Sequence, residues 1–199
     1  MKKIILSTIL PVALFSSMSH ATTNVSGGTI NFSGAVTDAT CTINGNSSAN
    51  LSVTLNPISA EQAGTAEGLI DVGKKAFSLD FSNCSSAKIG KVAGVGTPTA
   101  TPGLQMQFSS PNTISNDGKY LINQETDPEG NPRNVGIAIV LQNTETRPII
   151  LNQMLDTKLA GTSATPDTIN FYAKYYKVGT QPAEAGVVRT MVTYNITYL

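Results

Sequence analysis

Three features of this 199-residue chain predict an all-β sandwich. Several short segments alternate apolar and polar residues, as strands with one buried face do. Clusters of Gly, Pro, Asn and Asp separate these segments and favour turns. Helical periodicity is almost absent. We therefore expect one antiparallel β-domain, without an internal repeat and without a second domain.

The strands of the N-terminal half are predicted in order along the chain. Residues 39–43 end the first core strand, and residues 51–55 alternate until Pro57 breaks the pattern. Residues 61–73 are ambiguous and allow a short helical turn. Residues 77–81 then form a clearly alternating strand that leads into the second cysteine.

The C-terminal half continues the same pattern. Strands or apolar runs are predicted at residues 104–108, 135–141, 149–151 and 169–175. Loops rich in turn-forming residues are predicted at 92–103, 114–132 and 161–167.

The last predicted strand covers residues 186–199 and is long and mostly apolar. One of its faces carries Val188, Val192, Tyr194, Ile196 and Tyr198. Such an apolar strand must be paired and covered, because otherwise it would be a site of aggregation.

The first 21 residues predict an export signal. Lys2 and Lys3 precede the mostly apolar segment 4–15, and Ser19-His20-Ala21 fits a small-x-small cleavage site. The apolar segment is too short for a spanning helix, so an N-terminal membrane anchor is the less favoured alternative. We expect residues 1–21 to be removed on export and no part of the mature chain to insert into a membrane.

Composition excludes several classes of protein. The only histidine, His20, lies in the predicted signal, which excludes Ser-His-Asp and Cys-His hydrolases and removes the commonest metal ligand. Once Lys2 and Lys3 leave with the signal, 11 basic residues face 13 acidic ones, a net charge of −2. The absence of a basic patch argues against nucleic acid as a partner. We expect no metal and no cofactor.

A hydrolase with paired carboxylates is the enzyme class that composition leaves open. Its candidate residues are Asp71, Asp80, Glu125, Asp127 and Glu129. Nothing in the sequence groups them beyond turns and strand surfaces. Residues 127–131 also lack the ligand spacing of a calcium loop, so we expect a plain turn there and no enzyme.

Two cysteines remain, Cys41 and Cys84. In an exported protein, an even pair favours one disulfide, and closing a loop of about 40 residues would contribute roughly 3–4 kcal/mol. Two free thiols or a redox pair are less favoured, because the spacing is far from C-x-x-C.

Five motifs follow one another along the mature chain. They are Gly27-Gly28-Thr29-Ile30-Asn31-Phe32-Ser33-Gly34, Phe77-x-Leu79-x-Phe81 before Cys84, residues 135–139, Phe171-x-Ala173-x-Tyr175, and the C-terminal strand with Tyr198 at the penultimate position. The ordered set resembles the pilin subunits of chaperone–usher fimbriae, the type 1 fimbrial family, and most of all a major shaft subunit. The residues that follow Gly186, and the terminal Leu199, differ from those usual in this family. The alternation of apolar residues along the strand is unchanged.

The resemblance implies an incomplete immunoglobulin-like β-sandwich. Its final strand would be missing and would be supplied by a donor strand from a neighbouring subunit or a chaperone. Residues 22–33 would form the N-terminal donor extension and residues 34–199 the pilin domain. The donor side chains would be Ser26, Gly28, Ile30 and Phe32. The alternative is that residues 28–36 are simply the first strand of a complete monomeric sandwich.

The resemblance also implies a function and a binding groove. The groove, which would contact the chaperone and the usher, would be formed by Phe171, Ala173, Tyr175, Val188, Val192, Tyr194, Ile196 and Tyr198. The function would be that of a structural subunit which polymerises head to tail into a surface fimbria and supports bacterial adhesion. A minor or adaptor subunit with adhesive loops at 92–103 and 117–132, and a secreted single-domain binding module, are the alternatives.

Overall fold

The computed structural model describes residues 40–45, 50–85 and 103–198. All of them belong to one compact unit, Thr37–Leu199, and the chain's other unit is Met1–Val36. The predicted signal and the predicted donor extension therefore lie outside the described residues. Within the described ranges, no helix is long and apolar enough to cross a membrane.

The described residues form antiparallel strands with one short helix. In chain order the elements are β1 (Thr40–Ile43), α1 (Ala60–Ala63), β2 (Gly68–Ser85), β3 (Leu104–Ser109), β4 (Val135–Leu141), a 3₁₀ turn (Gln142–Thr144), β5 (Met154–Asp156), β6 (Asp167–Lys177) and β7 (Thr193–Tyr198). The all-β prediction is confirmed.

The strands form two sheets. The four-stranded sheet has the order β1-β2-β6-β4, and the three-stranded sheet has the order β5-β3-β7. A disulfide joins Cys41 in β1 to Cys84 near the end of β2, across 43 positions of sequence. It therefore connects the margin of the larger sheet to its long second strand.

The main core lies between the two sheets. Phe171 of β6 is fully buried, with its ring stacked on Phe77 at 5.1 Å and edge-on to Phe108 of β3 at 5.8 Å. The Phe77 contact is a cross-strand pair within the larger sheet. The Phe108 contact joins the inner faces of the two sheets, which is how an aligned sandwich buries its alternating apolar residues. We call this group the larger core cluster; its other buried members are Ile43, Leu79, Phe81, Cys84, Leu104, Met106, Leu121, Ile139, Ile149, Leu151 and Ile169.

A second core cluster contains Leu55, Ala63, Ile70, Val135, Ala173 and Tyr175. The short helix α1 contributes Ala63 to it, and a capping box between Ser59 and Gln62 begins that helix. The Tyr175 hydroxyl donates to the main-chain oxygen of Asn56 at 3.2 Å, so the polar end of this ring is satisfied.

One predicted strand is absent. Residues 51–55 form no ladder, although Leu55 is buried and Val53 half-buried. The segment meets β2 at a main-chain bond from Asn56 to Gly73, within the stretch where the β2–β6 register shifts. Gly73 has φ +81°, and a Cβ there would lie 2.6 Å from Ile58. The alternation of residues 51–55 therefore indicated that Val53 and Leu55 turn toward the core. It did not indicate a paired strand.

Other boundaries also differ from the sequence prediction. Strand β2 begins at Gly68, well before residue 77, and β5 was not predicted. Ile149 and Leu151 are buried without forming a strand. The C-terminal strand was predicted from residue 186, whereas β7 begins at Thr193.

Candidate interface along the C-terminal strand

The last described residues show a strict two-residue alternation of exposure. From 187 to 197, every odd-numbered side chain is exposed and every even-numbered side chain is half-buried. We call the even-numbered set the C-terminal face; it consists of Val188, Thr190, Val192, Tyr194 and Ile196. This face points toward the core without being closed over by it, which is unusual for the inner face of a sandwich strand.

The packing of this face reaches both core clusters. Val192, Tyr194 and Ile196 pack against the larger core cluster, and Val188 packs against the second. The C-terminal face thus runs along the length of the core rather than over one end of it.

Pairing of β7 within the described part of the chain is one-sided. Its ladder partner there is β3, in a register that pairs Met106 with Ile196 and Leu104 with Tyr198. By contrast, β6 is paired with β2 on one side and β4 on the other. Among the described strands, β7 is therefore a margin of its sheet.

Asn123 holds the residues that precede β7. Its side chain is 2% exposed; the amide nitrogen donates to the Val187 oxygen at 3.0 Å, and the amide oxygen accepts from the Arg189 N–H at 3.0 Å. The Gln124 N–H donates to the Arg189 oxygen at 2.8 Å, and the Thr113 hydroxyl donates to the Met191 oxygen at 2.7 Å. This clamp of three bonds that involve a side chain and one main-chain bond holds residues 187–191 where a ladder is missing.

The clamp also determines to which side the main-chain groups of this segment point. All of its contacts go to odd-numbered residues, and successive residues of an extended chain direct their main-chain groups to opposite sides. The main-chain groups of Val188, Thr190 and Val192 therefore point away from the segment that contains Asn123. An added strand would meet this side.

The C-terminal face carries no charged side chain. Arg189, on the exposed side, forms an ion pair with Glu125 at 3.2 Å. Its aliphatic and aromatic members Val188, Val192, Tyr194 and Ile196 therefore present a largely apolar surface beside the core.

A charged cluster lies elsewhere, at β2, β6 and the turn after β4. The ammonium group of Lys174, whose side chain is 2% exposed, lies 2.6 Å from the Asp71 carboxylate and donates to the Glu145 main-chain oxygen at 2.9 Å. The hydrogen bond from Lys174 lowers the pKa of Asp71, and a bond from Lys74 lowers the pKa of Glu145. This cluster neutralises a buried lysine and is separate from the C-terminal face.

Comparison with known proteins identifies the family. A family profile described as "Fimbrial protein" matches residues 30–199. The chain belongs to this family. It is a fimbrial subunit, and the family is one of structural proteins rather than enzymes.

Two relatives agree with this assignment. The S-fimbrial protein subunit SfaA of Escherichia coli O6:K15:H31 is 31% identical over 197 residues, covering 95% of this chain and 97% of the relative. The major fimbrial subunit SMF-1 of Stenotrophomonas maltophilia is 28% identical over 181 residues, covering 88% of this chain and 94% of the relative.

Solved structures agree on the fold. A subunit from a chaperone-usher pilus, in a study of rod uncoiling, matches with a TM-score of 0.57 at 16% identity over 88% of this chain and 97% of the other. The P pilus rod subunit PapA matches with a TM-score of 0.54 at 14% identity over 80% of this chain and 99% of PapA. The predicted fold class, an incomplete immunoglobulin-like sandwich, is confirmed at this level.

The groove residues predicted for the fimbrial subunit fall into two groups. Phe171, Ala173 and Tyr175 are buried on β6, inside the core clusters. The others are on the C-terminal face, except Tyr198, which is described here only by its main-chain pairing with Leu104. The β6 residues lie beneath the face, and the face itself is the accessible part.

The candidate donor residues Ser26, Gly28, Ile30 and Phe32 lie outside the described residues. Asn123 and Thr113, which position the C-terminal segment, were not singled out from the sequence. Both lie in a turn-rich region where an Asn or Thr carries no signal of its own, because the clamp they form spans more than 60 positions.

The candidate carboxylates serve separate local contacts. Asp71 binds Lys174, Asp80 accepts from the Thr168 hydroxyl at 2.6 Å, and Asp127 closes a turn with the Asn131 N–H at 2.7 Å. In the described ranges, no group of three or more acidic, His or Cys residues is arranged to hold a metal ion.

Proposed function

We propose that this fimbrial subunit polymerises by donor-strand exchange. Residues 22–33 of one copy insert beside β7 of the next, with Ser26, Gly28, Ile30 and Phe32 facing the core. Each copy donates one strand and accepts another, so the contact is heterologous and builds an open filament rather than a closed ring.

The observation that carries this proposal is the C-terminal face. Its side chains are half-buried along the whole length of the core, and the main-chain groups of Val188, Thr190 and Val192 point to the side opposite the Asn123 clamp. An added strand would cover the face and supply main-chain hydrogen bonds along it.

The lengths match. Residues 22–33 are twelve in number, and an extended strand of that length spans about 40 Å. Residues 188–198 are eleven in number, which corresponds to about 36 Å. Full burial of Ile30 and Phe32 would contribute roughly 1.5–3 kcal/mol each.

The C-terminal face would bind more than one partner in succession. A periplasmic chaperone would cover the C-terminal face first, and an outer-membrane usher would direct the exchange for the donor of the next subunit. We assign the chain to the shaft of a surface fimbria that supports bacterial adhesion, in line with the major-subunit description of the relative SMF-1.

A gel assay tests the polymerisation. Cell-surface material from cells producing the full chain is run in SDS with and without boiling. We expect a ladder of oligomers that collapses to the monomer only on boiling. Deletion of residues 22–32 should abolish the ladder, because the donor strand is removed.

A matched pair of substitutions controls for nonspecific effects. Ile30→Asp places a charge on the side that faces the core and should abolish the ladder, whereas Asn31→Asp places it on the opposite side and should preserve it. A soluble monomer in the wild type, or equal ladders for the two variants, would refute donor-strand exchange.

A further inference from the structure

Thr190 carries an unsatisfied hydroxyl. Among the buried side-chain nitrogen and oxygen atoms of the described residues, its Oγ1 is the one without a hydrogen-bond partner. It lies on the C-terminal face, between Val188 and Val192. The hydroxyl is therefore shielded from water at the point where the face is otherwise apolar.

An orphaned buried hydroxyl is unfavourable, and native structures seldom keep one without a reason. No group of the described residues bonds the Thr190 hydroxyl, and the clamp from Asn123 and Thr113 reaches only main-chain groups of residues 187, 189 and 191. An added strand beside the main-chain groups of Thr190 would cover the C-terminal face and bring new polar groups within reach of Oγ1.

We propose that Thr190 is a recognition residue of this interface, at which residues 22–33 of a second copy present a polar group that bonds its hydroxyl. This inference rests on the proposed donor-strand exchange. It requires the inserted strand to run beside the clamped residues 188–192 as well as beside β7. A donor with an apolar group at this position would be disfavoured by the buried hydroxyl.

Removing the Thr190 hydroxyl should have opposite effects on the stability of the single domain and on the subunit contact. This difference separates a recognition role from a purely structural one. Valine has almost the shape of threonine without the hydroxyl. In an unoccupied domain, Thr190→Val removes an unsatisfied polar atom and should leave stability equal or higher. In a filament held together through Thr190, the same substitution removes a hydrogen bond and should weaken the subunit contact.

The experiment measures dissociation of purified wild-type and variant filaments, made from the full chain, in SDS at one temperature below boiling. For Thr190→Val we expect dissociation roughly fivefold faster, as the loss of one net hydrogen bond predicts. Thr190→Ser keeps the hydroxyl and should restore most of the difference. The matched control is Thr193→Val, at an exposed position of β7, and it should dissociate at the wild-type rate.

Thr190→Val filaments that dissociate at the wild-type rate, or more slowly, would overturn the inference while leaving donor-strand exchange intact. A Thr190→Ser variant as weak as Thr190→Val would also overturn it, because shape rather than the hydroxyl would then matter. Wild-type material without SDS-resistant filaments is a different result, which would overturn the proposed function and this inference together.

Discussion

Strands β6 and β7 carry the same kind of alternation but differ in burial. On β6, Ile169, Phe171, Ala173 and Tyr175 are between 0% and 9% exposed. On β7 and the residues before it, the equivalent face stays half-buried. The difference follows from the neighbours: β6 lies between β2 and β4, whereas β7 is paired with β3 alone among the described strands.

This contrast shows that apolar alternation specifies which side of a strand faces the core, but not whether that side is closed. Closure depends on the neighbouring strands. A β6 side chain therefore contributes to folding of the domain itself. On the proposed donor-strand exchange, a side chain of the C-terminal face would contribute mainly to binding the strand added beside it.

The largest expected effect is that of Phe171→Ala. It removes a fully buried ring with two aromatic contacts, which should cost about 3–5 kcal/mol of folding free energy. Ile196→Ala, on the half-buried face, should leave the domain folded and mainly weaken the filament. The yield of protease-resistant, disulfide-bonded protein measures folding, and SDS-resistant oligomers measure assembly.

Asn170→Ala, at an exposed position of β6, is the control for Phe171→Ala and should match the wild type in both assays. Equal losses of folded protein from Phe171→Ala and Ile196→Ala would contradict the assignment of β6 to folding and of the C-terminal face to assembly.

An intermediate effect is expected for Asn123→Ala. The substitution leaves the Val187 oxygen and the Arg189 N–H without the buried amide, which should cost roughly 1–3 kcal/mol. Residues 187–191 should exchange amide hydrogens faster and the filament should assemble less well, while β6 stays protected. Hydrogen exchange followed by mass spectrometry measures this.

Gln124→Ala is the matched control, because Gln124 contributes its main-chain N–H to the clamp and its side chain is exposed. Unchanged exchange at 187–191 in Asn123→Ala would show that the clamp does not order this segment.

The smallest effect concerns pH. Lys174 holds the pKa of Asp71 below its usual value, so the fold stabilises the charged carboxylate. This contribution is present above the usual pKa of about 4 and is lost as the pH falls through the lowered pKa of the folded state. Because the Asp71 side chain is 77% exposed, solvent screening limits the contribution to about 0.5 kcal/mol or less.

Urea unfolding of the purified protein at pH 7 and pH 3 measures the change. Asp71→Asn should reduce stability slightly at pH 7 and flatten the dependence on acid, whereas Glu129→Gln, in an exposed turn, should leave both as in the wild type. An Asp71→Asn protein with the full wild-type dependence on pH would show that this ion pair does not contribute.

Alternation predicted the strands of the core well. Residues 104–108, 135–141 and 169–175 all lie in strands of the structure. Burial has a strict two-residue period in β3, whereas β4 buries residues on both of its faces. The same signal misled at residues 51–55 and at 186–192. Both segments turn alternate side chains toward the core, but their hydrogen bonds go to a single main-chain group or to side chains instead of a ladder.

The sequence by itself determined the fold class, the family motifs and the parity of the C-terminal residues, because these depend on local pattern and order along the chain. Tertiary structure alone decided that β7 is paired on one side within the described residues, that Asn123 clamps residues from more than 60 positions away, and that the Thr190 hydroxyl is buried without a partner. Each of these features depends on which segments, distant in sequence, come into contact in the fold. The pattern of neighbouring residues does not specify those contacts.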